Sequence, residues 1–315
     1  MPVNWGEPTL SSDAKLERLH EGQHITGAGR LVDYSNLVKL PHTLFAMPFA
    51  LVGATLASYG HPVTLRQVLL ILTAFAAARF AAMGFNRIVD RAIDAKNPRT
   101  RMREIPAGKL TVRQATTSVV VASVVFILCA AFLNRTCLIL APFALGWVFF
   151  YSYTKRFTRW AHLVLGFALA IAPVGAYLAI AGEWTRPAGA LLALAGGVLC
   201  WVAGFDILYS LQDIDFDRSQ GLHSVPAALG PRGALAVSRV LHLASAVLFG
   251  LLGVLLPQLG TLYLFGVAVI AVMLAYEQSL VRADDFSRID AAFFNVNGAI
   301  SVVFFLIVLA ERIFS

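Results

Sequence analysis

Residues 86–109 read NRIVDRAIDAKNPRTRMREIPAGK, with Asp90, Asp94 and Glu104 set among basic residues from Arg87 to Lys109. This dense charge follows directly on the long apolar run 65–85. At about 100° per residue, Asn86, Asp90 and Asp94 recur one turn apart and share one helical face. Arg79 lies seven residues before Asn86, inside AFAAARFAAMGF, and falls on the same face as the most deeply placed charge of the chain. An arginine at that depth is costly in lipid, so it must face a bundle interior or a wet cavity.

Working outward, the chain has 315 residues, 58% hydrophobic and 14% charged, with a mean hydropathy of +0.72. Soluble domains carry about 25% charge, so the composition indicates an integral membrane protein. Nine segments have membrane length: 37–58, 65–89, 112–133, 137–153, 162–181, 187–210, 234–256, 260–281 and 291–311. The expected fold is therefore all-α, with about nine transmembrane helices. A polar N-terminal tail spans 1–36 and a single transmembrane unit spans 37–315. The tail lacks a basic stretch followed by an apolar core, so no cleavable signal is expected. Cys129, Cys137 and Cys200 lie in or beside apolar runs at no metal or disulfide spacing, and read as packing residues.

Charge sets the orientation. The N-terminal stretch through Lys39 and the loops 90–113, 154–161, 211–233 and 282–290 carry eighteen Lys and Arg, against four on the other side, Arg66, Arg135, Arg186 and Arg312. The first set is expected on the cytoplasmic side of a multi-pass protein in the cell's inner membrane. The same bias accounts for the net charge of +7 without a nucleic-acid partner.

A second acidic face lies in GFDILYSLQDIDFDRSQGLHSVPAALG, where Asp206, Ser210, Asp213 and Asp217 share a helical side. Asp213 and Asp217 repeat the spacing of Asp90 and Asp94 at a matching helix end. Like charges within each cluster repel, and a hard divalent cation relieves this: Mg²⁺ takes oxygens from a few carboxylates and completes its shell with substrate phosphate. Asn86, Asp90, Asp94, Asp213 and Asp217 are the candidate metal ligands, and the four aspartates are the candidate catalytic set. Arg99, Arg101, Arg103 and Lys109 follow the first cluster, and Lys155 and Arg156 end the fourth helix. These six are candidates for a diphosphate, whose remaining oxygens need donors. Such a pocket open to lipid suits a polyprenyl diphosphate, an amphiphile with a charged head and an apolar tail.

The motifs resemble those of the UbiA superfamily of intramembrane aromatic prenyltransferases. N-x-x-x-D-x-x-x-D reads Asn86-Asp90-Asp94, D-x-x-x-D reads Asp213-Asp217, and Y-x-x-x-K reads Tyr151 to Lys155. KLPHTLFAMPFALVGA and the two charged stretches look like the 4-hydroxybenzoate polyprenyltransferase branch. They look most like its prokaryotic subgroup, some members of which are linked to menaquinone made through futalosine. Arg87 stands where some members carry Asp, which removes one candidate ligand. The resemblance implies helices around a central cavity with a lateral opening, and Mg²⁺-assisted loss of diphosphate followed by electrophilic substitution on an aromatic carboxylic acid, either 4-hydroxybenzoate or a hydroxynaphthoate. It implies a place in ubiquinone or menaquinone synthesis. Arg79 or Arg91 is the candidate for the acceptor carboxylate. Tyr151, Asp206, Tyr209 and Ser210 are further candidates for the aromatic subsite, and Phe85 for cation–π support.

Other readings fit less well. A transporter would place its charges at the midplane of broken, repeated helices rather than at one end. A phosphotransferase acting on CDP-activated lipids needs a Gly after the first Asp, which DRAIDAKNPRTR lacks. Haem or chlorophyll prenylation by another branch of the family stays open. His42, Asn295 and Asn297 read as hydrogen-bonding structural residues, and Glu277 as solvated or paired.

Overall fold

The computed structural model describes residues 29–184 and 188–314, without the side chains of 40–45 and 291. The expectations for residues 1–28, Arg186 and the His42 side chain therefore lie outside the described residues.

Helices begin where the sequence supplies caps. Thr64 and Thr111 each accept from a backbone N–H three residues on, and Gln67 and Gln114 return the bond, closing capping boxes at the starts of α3 (Leu65–Asp94) and α4 (Val112–Leu133). Asn134 caps α5 (Arg135–Thr154), and Ser224 caps α9 (Val225–Leu255). Ahead of these lie α1 (Arg30–Leu37) and α2 (Leu40–Ala57); between them α6 (Ala161–Ala181), α7 (Ala188–Ser210) and the short α8 (Ile214–Ser219); after them α10 (Thr261–Leu280) and α11 (Asn297–Phe314). Among the described residues, eight helical stretches are long and apolar enough to cross a membrane, and α2, with 18 residues, stands beside them as the ninth. The expected all-α architecture of about nine helices is present.

Three boundaries differ from expectation. Residues 30–37 form α1, whose end packs with Leu110 and Ala115; the chain turns at Lys39 (φ 49°) before α2 starts. Helix α3 runs on to Asp94, so the first acidic motif is wholly helical. Helix α9 starts at Val225, because a kink at Gly230 (φ 69°) followed by Pro231 joins what reads as loop and helix.

Successive long helices pack as neighbours from α3 to α7, then α9 to α11, and α11 returns to α2, which also packs on α6. The core centres on Phe49, which lies 4.8 Å from Trp201 and 5.5 Å from Phe304, with Phe249 4.5 Å from Phe304. Leucines, valines and phenylalanines on the outer faces, such as Val120, Val124, Phe143 and Val254, are exposed, as a lipid-facing surface requires. Lipid is as apolar as a leucine side chain, so helices are held by close packing and polar links. Gly53 lies against the Pro173 carbonyl and Gly166 against the Leu199 carbonyl. Asn297 donates to Glu277 Oε1 at 2.7 Å and accepts from Trp201 Nε1 at 2.7 Å, joining α7, α10 and α11. The interhelical role expected of Asn297 is thus present. Glu277 is fully buried rather than solvated, with Asn297 as its partner, while Asn295 is exposed.

A side chain at position 166 would collide with backbone rather than with a movable group. Gly166→Leu is expected to destabilise by about 1–3 kcal/mol and to lower the melting temperature in detergent. Gly146→Ala, where a Cβ meets nothing within 4 Å, leaves it unchanged or higher.

Candidate active site

The C-terminal ends of α3, α5 and α7 and the N-terminal ends of α6, α9 and α11 meet at one end of the bundle. Both long loops fold over it. Asn97 Nδ2 donates to Asp213 Oδ1 at 3.2 Å, Lys96 to Gln220 at 3.3 Å, and the His223 N–H to the Lys155 carbonyl at 2.7 Å. Beneath them is a polar cleft of about 260 Å³. It is lined by Asn86, Asp90, Asp94, Arg99, Arg103, Tyr151, Lys155, Arg156, Asp206, Tyr209, Ser210, Asp213 and Asp217. These residues come from three segments, which motif spacing, charge and the family resemblance had together picked out.

Each wall is built from carboxylate–arginine pairs. Asp94 Oδ1 accepts from Arg103 Nη1 at 2.6 Å, and Asp90 Oδ1 from Arg156 Nη2 at 3.0 Å. Asp213 is held by both guanidinium branches of Arg99, Nε at 3.0 Å and Nη2 closer still. Arg99 also reaches the Tyr209 hydroxyl at 3.0 Å and lies over its ring. Asn86 Nδ2 donates to Asp90 Oδ2 at 2.8 Å. Two carboxylate oxygens, Asp94 Oδ2 and Asp217 Oδ2, are buried without a hydrogen-bond partner. Acceptors of this kind fit a hard cation. Among the described residues no three His, Cys, Asp or Glu side chains gather around one point.

Lys155 follows α5 and faces the same carboxylates. Burial alone would lower the pKa of its ammonium; the charges of Asp217, Asp213 and Asp206 outweigh this and raise it above the ordinary value. It therefore stays cationic throughout the physiological range.

Four predicted residues stand elsewhere. Arg101 and Lys109 are exposed and do not line the cleft. Arg91 is exposed on the helical face turned away from it, and donates to the Ile88 carbonyl at 2.7 Å. Phe85 packs on Phe149 at 4.4 Å, outside the cleft. The Ser210 hydroxyl donates to the Ile207 carbonyl of its own helix, so it presents its Oγ to the cleft only as an acceptor. Residues not singled out by sequence join the lining: Asn97, Trp201, Phe205 and Phe293. Phe293 stacks on Tyr209 at 4.2 Å from a π-helical turn, Ala291–Val296, that carries no obvious sequence mark. Arg87, at the position of the missing Asp, is buried and donates to the Leu37 carbonyl that ends α1.

Arg79, Met83, Asn86 and Tyr151 also line a second cavity, of about 580 Å³, so the two spaces meet there. This one is almost wholly apolar, lined by Phe75, Phe126, Leu140, Trp147 and Leu169 among others. Its walls include Phe143, Phe167 and Leu192, which are exposed on the bundle's outer surface, so it opens sideways between helices. Arg79 sits at the junction. Its Nε has no hydrogen-bond partner, and among the described residues no carboxylate lies within ion-pair distance.

The UbiA prenyltransferase family model matches residues 46–300. The chain belongs to the UbiA prenyltransferase family. The 4-hydroxybenzoate octaprenyltransferase of Tolumonas auensis is 31% identical over 81% of this chain and 87% of its own. That of Nitrosospira multiformis is 30% identical over 89% and 96%. A UbiA homolog from Aeropyrum pernix K1 superposes with a TM-score of 0.76 at 37% identity, covering 87% of this chain and 97% of its own. A UbiA homolog from Archaeoglobus fulgidus, solved bound to GPP and Mg²⁺, shares the fold with a TM-score of 0.68 at 19% identity, covering 89% and 99%. The UbiA fold and the expected family are therefore both present.

A half-buried arginine inside the bundle, with its Nε buried and unpartnered, costs stability rather than supplying it. Arg79→Gln is therefore expected to leave the melting temperature unchanged or raised. A clear drop would reveal an anionic partner in the resting protein.

Proposed function

We propose that this UbiA family member transfers a polyprenyl group from its diphosphate to an aromatic carboxylic acid, 4-hydroxybenzoate or a hydroxynaphthoate, in ubiquinone or menaquinone synthesis. The observation that carries this reading is the junction at Arg79, Asn86 and Tyr151, where an ionic cleft opens into a lateral apolar cavity. A diphosphate head and a hydrocarbon tail need those two environments in that order. The names of the relatives at about 30% identity support the aromatic acid, and the Archaeoglobus protein bound to GPP and Mg²⁺ supports the donor.

The tail lies in the apolar cavity and the diphosphate in the cleft. Arg99, Arg103, Lys155 and Arg156 supply donors to its oxygens, exchanging part of their hold on Asp213, Asp94 and Asp90. Asn86, Asp90 and Asp94 on one wall and Asp213 and Asp217 on the other would hold Mg²⁺, which supplies neutralisation of the charge that builds on the leaving diphosphate. The C1–O bond of the donor breaks with its electron pair leaving on the diphosphate. The ring carbon ortho to the phenolic hydroxyl forms the new bond to C1. The ring proton then departs to the displaced diphosphate, which restores aromaticity. Arg79 holds the acceptor's carboxylate with its planar fork. Asp206 accepts from the hydroxyl and thereby enriches the ortho carbon. Tyr151 and Tyr209 face the developing allylic cation, and the apolar walls keep water from quenching it.

Geranyl diphosphate and each aromatic acid, incubated with the purified protein and Mg²⁺ and followed by mass spectrometry, test the reaction. Asp90→Ala and Asp213→Ala are each expected to reduce turnover about 10²-fold or more, the scale of losing one preorganised electrostatic group, and EDTA to abolish it. Full activity in EDTA, or near-normal rates in both variants, would contradict the assignment. Arg79→Gln should raise the KM for the acid roughly 10- to 100-fold, since a hydrogen bond to a charged partner contributes about 1.5–3 kcal/mol. The KM for geranyl diphosphate should hold steady. The cleft faces the cytoplasm of the inner membrane in this reading, on the strength of the charge bias. With the native cysteines replaced, Ser219→Cys should react with an impermeant maleimide only in inside-out vesicles, and Val63→Cys only in right-side-out ones.

A further inference from the structure

One histidine beneath the cleft is not explained by packing. His162, the second residue of α6, is fully buried, and its Nδ1 lies 2.7 Å from Asp206 Oδ2. Its Nε2 faces the backbone N–H of Val225 at 3.4 Å. Val225 opens α9, so its N–H is one of the four that a helix leaves without an internal partner. An N–H must donate, so Nε2 accepts, and the ring hydrogen is on Nδ1 and points at Asp206. The imidazole is thus held between a carboxylate and a helix N-terminus.

Asp206 differs from the three arginine-paired cleft carboxylates in consequence. Asp90, Asp94 and Asp213 each have an arginine. Asp206 has a single imidazole donor on Oδ2, and among the described residues no other hydrogen bond or ion pair; its side chain keeps 17% of its surface open to the cleft. One oxygen is thus fixed from below and the other is left to accept from above, on the wall it shares with Tyr151 and Arg79.

We propose that His162 is a positioning residue for acceptor recognition: by fixing one oxygen of Asp206, it aims the other at the phenolic hydroxyl of the aromatic acid. This rests on the prenyl transfer proposed above and names the element that makes it selective for hydroxylated acids. His162 touches no substrate and moves no proton. It orients a carboxylate, as a backbone-anchored partner orients a ligating or catalytic group elsewhere.

The test compares His162→Asn, whose amide nitrogen can stand where Nδ1 stands, with His162→Gln and His162→Phe, which lack a donor at that point. Rates are read with Mg²⁺, geranyl diphosphate and 4-hydroxybenzoate, and benzoate serves as a competitive probe without the hydroxyl. In the Gln and Phe variants kcat is expected to fall roughly 10- to 100-fold, the usual scale for losing such a partner. The preference for binding 4-hydroxybenzoate over benzoate should shrink about tenfold, while the KM for geranyl diphosphate stays within about twofold. His162→Asn should restore most of the preference. A merely structural role would impair Asn and Gln alike, or would weaken both acids equally; either result overturns the proposal, as does a Gln variant that matches the parent protein. If the parent protein prenylates none of the phenolic acids, the proposed reaction falls and the role of His162 falls with it. If it prenylates them and the variants behave alike, only the positioning role falls.

Discussion

Carboxylates at the end of a membrane helix cannot stand unpaired next to one another, and this constraint organises the whole cytoplasm-facing end of the proposed topology. The aspartates at the end of α3, and those just beyond α7 at Asp213 and in α8, repel within each motif, and the loop that follows α3 returns arginines to both. Arg99 crosses from the first loop to Asp213 on the other wall, and Arg156 crosses from α5 to Asp90. These are inter-element ties, so the cleft and the closure of the bundle end are one structure. In the proposed reaction they are also exchangeable. A cation and a diphosphate present the same two charges in the opposite arrangement, so the aspartates can pass to the cation and the arginines to the phosphates with little net loss of pairing.

The elements legible in the sequence were those set by periodicity and by motif spacing. Helix length and hydropathy marked nine spans, and i, i+4, i+8 spacing put Asn86, Asp90 and Asp94 on the wall they occupy. What spacing cannot give is the path of a chain that leaves a helix. Arg101 and Lys109 lie between Arg99 and the start of α4 and look equivalent to Arg99 in composition, but the turns at 97–108 point only Arg99 and Arg103 inward. Arg91 failed for a simpler reason: one residue past Asp90 is about 100° round the helix. His162 carries no motif at all, because its importance lies in two partners, Asp206 and Val225, that are 44 and 63 residues away. The π-helical turn that brings Phe293 onto Tyr209 was hidden likewise, since a single extra residue per turn leaves composition unchanged.

The two cavities divide the labour between electrostatics and exclusion. Charge is confined to the loop-covered end, where every arginine described in the cleft wall except Arg79 has a partner in the protein. The apolar cavity below it has no charge apart from that same arginine. A cation formed at the junction would therefore see aromatic faces and carboxylates on one side and hydrocarbon on the other. Its electrophilic carbon would be stabilised without being offered water.

Arg79 is where stability and function pull apart. A guanidinium at the top of an apolar cavity, without a counter-ion among the described residues, is a standing cost to the fold. Nothing in the packing needs it: the core aromatics lie on other helices, and α3 is already joined to α4 by close apolar contact around Ala81 and Val119. Proteins sit only just above their stability threshold, so such a cost persists when a task requires it. In the proposed function, the task that removes the cost is binding an anion small enough to share the junction with an allylic diphosphate. An aromatic carboxylate meets that requirement. In the function proposed above, its carboxylate neutralises Arg79, its ring fills the apolar mouth, and a hydroxyl on its far edge is directed to Asp206, the one carboxylate held by an imidazole among the described cleft residues.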